Sequence, residues 1–356
     1  MRSGMLLEAL AERYAVFLLV IPACACGRHQ PDEAVASRCA HVVIAPPLAP
    51  GRPLPDPASL FPGVRFRAVH VSRTLVAPVA NPYLLDDGPD RPSCALDLPD
   101  FDSGARLSIA ALYERNGDAE SAALERETAG QYAELERHYL PLFDSVYACS
   151  EIERWRIARY CGAAVVRVVP NAIRLPQPLP AKAAGSIFTL LFTGNLAYYP
   201  NEDAVQFFCR DILPRLRNAP YPVRLLVAGR SPSEKLLAVC SRYENVSIAR
   251  DVPDLAPYYQ EADAVIVPIR AGGGTRIKIL EACGYRRPVV STVLGAEGLE
   301  AAPGREILIA DSPQEFADTC LFLMRDRAAA AQIAAVGHEW VRLNHTQDNV
   351  RRALGI

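Results

Sequence analysis

The segment with the sharpest chemical content is RAGGGTRIKILEACGYRRPVVST, which begins at Arg270. It follows a short apolar run, Ala264–Pro268, that reads as a buried strand. Gly272, Gly273 and Gly274 remove side chains where the chain turns into a helix expected over Arg276–Tyr285, and Thr275 is placed to cap that helix. Backbone N–H groups at a helix start point outward, and the helix dipole favours negative charge there, so such a turn binds phosphate. Arg276 and Lys278 add fixed positive charge beside it. Glu281 follows Lys278 by one helical turn and shares its face. A carboxylate at that remove from a phosphate suits the diol of a ribose. The motif therefore reads as a nucleotide site. The competing reading is an ordinary tight turn in which Glu281 pairs with Lys278.

A second candidate is FTGNLAYYPN at 192–201. An apolar strand ends at Thr193, Gly194 and Asn195 turn the chain, and Asn201 is placed to cap a helix that starts at Glu202. Its loop belongs at the carboxyl end of a parallel strand, where α/β sheets bind ligands. Arg230, just past Ala228-Gly229, sits at a similar level and is either a further diphosphate contact or a solvated side chain. No G-x-G-x-x-G or P-loop pattern occurs, which argues against a dinucleotide oxidoreductase and a kinase, and no G-x-S-x-G elbow is present. His29, His41, His70, His138, His338 and His345 show no metal spacing, and most of them read as surface residues. The ten cysteines (24, 26, 39, 94, 149, 161, 209, 240, 283 and 320) form no C-x-x-C pair and no zinc pattern, so they read as scattered, mostly buried thiols. No metal and no cofactor is expected.

The elements that must hold these residues are clearest in the second half. Strands are expected at Ile187–Thr193, Val223–Ala228, Val246–Ala249, Ala264–Pro268, Pro288–Ser291 and Ile307–Ile309. Helices are expected at Glu202–Leu216, Pro232–Cys240, Asp254–Glu261, Arg276–Tyr285, Pro313–Arg325 and Arg327–Leu343. Short apolar strands alternating with helices mean a parallel sheet covered on both faces, hence a doubly wound, Rossmann-like domain. The first half is irregular: 45–62 holds seven prolines and reads as loop. Strands are expected at Val42–Ala45, Phe66–Val69, Cys94–Leu98, Asp144–Cys149 and Val165–Val169, with helices at Ala119–Tyr139 and Glu151–Tyr160. Pro170–Ser186, rich in Pro and Ala, is the linker candidate. The expected division is 1–180, 181–340, and a carboxy-terminal helix over 341–356 packing back on the first domain. Two α/β domains facing each other would form a cleft.

The chain has 356 residues, half of them hydrophobic and 22% charged, with a mean hydropathy of +0.06. That length suits about two domains, and the composition argues against disorder. A net charge of −2 excludes a global basic field for nucleic acid. No apolar run reaches the ~20 residues of a membrane helix. Tyr14–Cys26 imitates a signal peptide, and Ile21-Pro22-Ala23-Cys24 imitates a lipoprotein cleavage site. Leu6, Leu7, Leu10 and Tyr14 lie at helical spacing among Glu8, Glu12 and Arg13, however, so a helix followed by a buried strand is the expectation, in a cytoplasmic chain.

The second half resembles the group 1 glycosyltransferases of family 4, which have the GT-B fold. The residues that carry the resemblance are FTGNLAYYPNEDAVQFF at 192–208, VRLLVAGR at 223–230 and AGGGTRIKILEACGYRRPVVSTVLGAEGL at 271–299. ACSEIERWRI at 148–157 and VVPNAI at 168–173 look like the end of the family's amino-terminal domain, and CALDLPDFDS at 94–103 looks like an acidic strand-end motif of a subgroup. The resemblance implies transfer of a sugar from a nucleotide-diphosphate donor with retention and without an obligatory metal. The acceptor would be a glycan, a lipid-linked glycan or a small molecule, and peripheral membrane association stays open. By position, Glu281 would hold the ribose and Arg276 and Lys278 would face the diphosphate. Gly272, Gly273, Gly274 and Thr275 would present backbone to phosphate or sugar. Gly194 and Asn195 would line the cleft, and Arg250–Val252 would touch the nucleobase. Asp100 or Asp102 would contact acceptor or donor from the first domain, with Asp97 equally placed. Two departures stand out. The family often carries a glutamate where Gly273 stands here, and it usually opens with a strand and glycine-rich loop, whereas Met1–Tyr14 reads as the helix that follows them. The first domain is thus expected to lack its first strand. An alternative reading is a non-catalytic nucleotide-sugar-binding partner subunit.

Overall fold

The computed structural model describes residues 2–22, 30–49, 53–180 and 185–356. Cys24, Cys26, His29, the Ala23-Cys24 step of the leader-like segment and positions 181–184 of the linker lie outside the described residues. Two compact units are present. One comprises Met1–Arg106, Arg126–Asn171 and Gln347–Ile356, the other Leu107–Glu125 and Ala172–Thr346.

The first unit holds two parallel sheets. β1 (Phe17–Val20) pairs with β2 (His41–Ile44). β3 (Ala68–Ser72), β4 (Ser93–Leu98), β5 (Ser145–Ala148) and β6 (Val166–Val168) pair in sequence order. Leu96, Leu98, Leu140, Val146 and Ile157 are fully buried in its core. The first helix, Arg2–Ala11, buries Met5, Leu6 and Leu7, but it ends before Tyr14, which is exposed. Arg2 is buried and donates to Asp97 Oδ1 at 2.6 Å and to the Val169 carbonyl at 2.7 Å, so a charged residue pins this helix to the ends of β4 and β6. The strand after that helix, β1, is only half-buried, not buried as expected.

Three further differences have local causes. The proline-rich stretch contains one helical turn, Pro57–Leu60, because Asp56 caps it through Ala58 N and Ser59 N at 3.1 and 3.2 Å. A helix not anticipated from sequence, Asp102–Arg115, follows β4. The strand expected at Phe66–Val69 forms at Ala68–Ser72, shifted to pair with β4.

The second unit is a six-stranded parallel sheet: β7 (Phe188–Asn195), β8 (Val223–Arg230), β9 (Val246–Arg250), β10 (Ala264–Val267), β11 (Val289–Ser291) and β12 (Leu308–Ile309). The strand order is β12-β11-β10-β7-β8-β9. Phe188–Thr193 and all of β10 are buried, as strands covered by helices on both faces must be. Helix Pro313–Arg325 starts at a capping box formed by Ser312 and Glu315. The helix expected at Glu202–Leu216 is instead an α-helix over Tyr199–Phe207, a π turn over Phe208–Ile212 and a 3₁₀ turn over Leu213–Leu216. Pro214 has no N–H to continue the α ladder, so the chain changes pitch on approaching it. His345 is buried against Trp340, with ring centroids 4.7 Å apart, and its carbonyl accepts from Ile173 N, so it is not among the surface histidines. No helix of the described residues is long and apolar enough to cross a membrane.

Candidate functional site

β7 is the first strand of the second unit and lies in the middle of its sheet. The chain leaves it for β8 and β9 on one side and returns to β10 on the other. The strand order therefore reverses between β7 and β10, and ligands of doubly wound sheets bind outside the carboxyl ends of the strands at such a point. The two motifs singled out in the sequence are the loops leaving these two strands.

The end of β7 is built on glycine. A Cβ on Gly229 of β8 would lie 1.9 Å from the Gly194 carbonyl oxygen, so the two strands meet this closely only without a side chain there. A Cβ on Gly194 would lie 3.0 Å from both Lys278 Nζ and Asn201 Nδ2. Lys278 thus reaches across from the β10 loop-helix to the end of β7. It is buried, donates to Asn201 Oδ1 at 2.7 Å and sits 3.9 Å from the centroid of the Phe192 ring. Burial holds its pKa well below the ordinary lysine value, and the neighbouring Arg276 charge adds to the effect while Glu281 opposes it. Asn201 is not the helix cap. The cap position is Tyr198, and Asn201 lies inside the first turn, where Nδ2 donates to the Asn195 carbonyl at 2.8 Å and Oδ1 receives Lys278.

The glycine-rich turn after β10 is also held from within. Gly272 and Gly274 take φ of 105° and 67°, a backbone that favours glycine. Arg276, not Thr275, is the cap residue of helix Ile277–Gly284, and it makes no side-chain capping bond. The helix begins one residue later because Arg276 remains extended, with its guanidinium turned back on the carbonyls of Gly273, Gly274 (2.6 Å) and Ala271 (3.4 Å). The Gly272 N–H donates to Ser108 Oγ at 3.1 Å, so this amide is used by the protein itself. Arg270 makes a two-pronged contact with Asp203 at 2.7 and 2.9 Å and lies 4.4 Å from the Phe207 ring. Asn116 Nδ2 donates to Asp203 and to Tyr199 Oη, both at 2.8 Å, and the Tyr113 and Tyr199 rings stack at 3.7 Å. The 107–125 segment therefore braces the β10 loop.

Glu281 does not have Lys278 as its hydrogen-bond partner. Tyr259 Oη donates to its Oε2 at 3.2 Å, and Tyr259 Oη lies 3.2 Å from Thr193 Oγ1. Burial raises the Glu281 pKa, against the pull of Tyr259 and Lys278. Arg230 and Asn195 are register partners at the exposed ends of β8 and β7. Val252, past β9, is half-buried against the core, in a turn where Asp251 N donates to the Gly229 carbonyl at 2.7 Å. Gly194, Asn195, Lys278 and Arg276 are thus brought together at the switch point, Arg230 borders them, and Val252 lies on the β9 side.

The first-unit candidates form their own network. Asp100 accepts from Arg73 at 3.0 Å. Asp102 accepts from Thr74 Oγ1 at 3.0 Å, and its pKa is pushed up to about 6, mainly by burial and then by the Asp100 charge. Asp97 is taken by Arg2. The neighbouring Glu136 is fully buried on Ser103 N at 3.0 Å, and burial pushes its pKa up to about 7. Sequence reasoning missed Tyr259, the Lys278–Asn201 link and the Ser108–Asn116 brace. Each joins residues far apart in the chain, and no local pattern marks them.

Among solved structures, the sucrose-phosphate synthase of Thermosynechococcus elongatus superposes with a TM-score of 0.73 at 17% identity, covering 98% of this chain and 90% of that one. Anabaena HepE in complex with UDP and glucose superposes with a TM-score of 0.68 at 14% identity, covering 99% and 94%. TarM gives a TM-score of 0.62 at 11% identity, covering 80% of this chain and 53% of its own. The chain has the GT-B fold, an α/β architecture with parallel sheets in Rossmann-like domains. Residues 187–326 match the model of the family "Glycosyl transferases group 1", so the second half carries a domain of that family. A curated relative, the "Uncharacterized 44.6 kDa protein in cps region" of Klebsiella pneumoniae, is 24% identical over 168 residues. That match spans 45% of this chain and 43% of the relative.

Proposed function

We propose that the chain is a retaining glycosyltransferase that moves a hexose-like sugar from a nucleotide-diphosphate donor to a hydroxyl of a glycan, a lipid-linked glycan or a small molecule, in the cytoplasm and without an obligatory metal. The observation that carries the proposal is the buried amine of Lys278, whose Nζ is held against the end of β7 at the switch point of the sheet. An ammonium has three N–H donors. One goes to Asn201, and an arriving diphosphate would receive the others and raise the lysine's pKa by its charge. Arg276, locked on the loop carbonyls, holds a second positive charge beside it. Such fixed charges stabilise a leaving diphosphate more than they stabilise the bound donor, and this term usually dominates catalysis. Glu281 would accept the ribose hydroxyls. The family match and the structural likeness to HepE, crystallised with UDP and glucose and with UDP-glucose, support the same reading.

The test is a thermal-shift screen of nucleotide-sugars followed by turnover. A ligand bound only by the native state raises its melting temperature. At least one donor should stabilise the wild type and release its nucleoside diphosphate when acceptor is supplied. Binding without transfer or hydrolysis would contradict the enzymatic reading.

A further inference from the structure

Glu281 stands on a helix at the proposed nucleotide site, but a glutamate turns about several side-chain bonds. What fixes its carboxylate comes from another element. Tyr259 belongs to helix Ala256–Glu261 and is fully buried. Its ring stacks on Tyr285 at 4.6 Å and 18°, and its carbonyl receives Arg287 Nε at 2.8 Å. Its hydroxyl lies 3.2 Å from Thr193 Oγ1, at the end of β7, and donates to Glu281 Oε2 at 3.2 Å. A phenol held at ring, backbone and hydroxyl has little freedom, so the O–H it offers fixes where the Glu281 Oε2 oxygen sits. An ionised carboxylate accepts several hydrogen bonds. With Oε2 engaged by Tyr259, the carboxylate keeps further acceptor capacity for hydroxyl donors.

We infer that Tyr259 is a positioning residue that orients Glu281 for a vicinal diol and so sets the preference for ribonucleotides over nucleotides lacking the ribose hydroxyls. The inference rests on the proposed nucleotide site. Preorganising the acceptor removes an ordering cost that the ligand would otherwise meet on binding. Donation from the phenol favours the charged, accepting form of Glu281, in opposition to burial, which is the larger effect and raises its pKa.

The experiment measures affinities of the full chain for UDP, ADP and GDP, each beside its 2′,3′-dideoxy counterpart, and follows the pair that binds tightest. Wild type should favour the ribonucleotide by about tenfold or more, the range of hydrogen bonds to a charged group. Tyr259→Phe, which keeps the ring and its stacking, should reduce that preference severalfold while leaving the dideoxy affinity and the melting temperature near wild type. In Tyr259→Phe/Glu281→Gln the preference should equal that of Glu281→Gln alone, because the tyrosine acts through the glutamate. A Tyr259→Phe variant with the wild-type preference, or one that loses both nucleotides equally, would overturn the inference and leave the nucleotide site standing. A wild type that binds none of the three diphosphates would overturn the site, and the inference with it.

Discussion

Replacing Lys278 with Met separates what this residue does for the fold from what it does for the chemistry. Met keeps an unbranched apolar stem against the Phe192 ring, which the lysine ammonium now approaches at 3.9 Å. It leaves Asn201 Oδ1 without its 2.7 Å donor, at a cost of about 1 kcal/mol. It also relieves the burial of a charge, which acts in the opposite direction. The unfolding free energy should therefore stay within about 2 kcal/mol of wild type. The pH dependence has a definite sign. Lys278 has its folded pKa depressed below 10.5, so its contribution is present above that value and is lost as pH falls through the folded pKa. The Met variant lacks this loss, so its stability relative to wild type should improve as pH falls from 10.5. Turnover should behave differently. Removing one preorganised charge from a developing oxyanion costs on the order of 10²–10³ in rate. The assays are chemical denaturation at several pH values and release of nucleoside diphosphate under saturating donor. Turnover within about threefold of wild type, or a loss of stability above about 4 kcal/mol, would contradict this role for Lys278.

Two further outcomes follow from the geometry. Gly229→Ala places a methyl 1.9 Å from the Gly194 carbonyl oxygen, so β7 and β8 must part at the site; a loss of about 1–3 kcal/mol and weakened nucleotide binding should appear together in denaturation and titration. Glu136 has its folded pKa raised from 4.5 to about 7 by burial, so its contribution is full below 4.5 and is lost as pH rises through 7. Glu136→Gln should abolish this slope, worth about 3 kcal/mol across the window, which a pH series of unfolding curves reads directly.

The second unit was more legible in the sequence than the first, for physical reasons. Strands buried on both faces are continuous apolar runs, and helix Pro313–Arg325 announces itself through Ser312, Pro313 and Glu315. The same clarity marked the β10 loop, where three glycines stand between a strand and a helix. Helix Asp102–Arg115 was illegible because its opening residues, Asp102-Ser103-Gly104, look like a turn; they are held as a helix start by Glu136, which accepts from Ser103 N 33 residues along the chain. The neighbours of Asn201 fit a helix cap, but its side chain serves Lys278, which is 77 residues away. Thr275 failed for a related reason: Arg276 satisfies the turn's carbonyls and delays the helix by one residue. Periodicity reports which face is buried, and it carries no information about which distant polar groups meet there.

In the proposed function, fixed charge at the switch point between β7 and β10 drives departure of a nucleoside diphosphate from a sugar. The most direct measurement is donor-dependent release of nucleoside diphosphate by wild type, Arg276→Ala and Lys278→Ala with matched folding controls. Wild type should turn over one nucleotide-sugar, and each variant whose melting curve is retained should lose at least about 10²-fold. Wild-type turnover in both variants would contradict the proposed function.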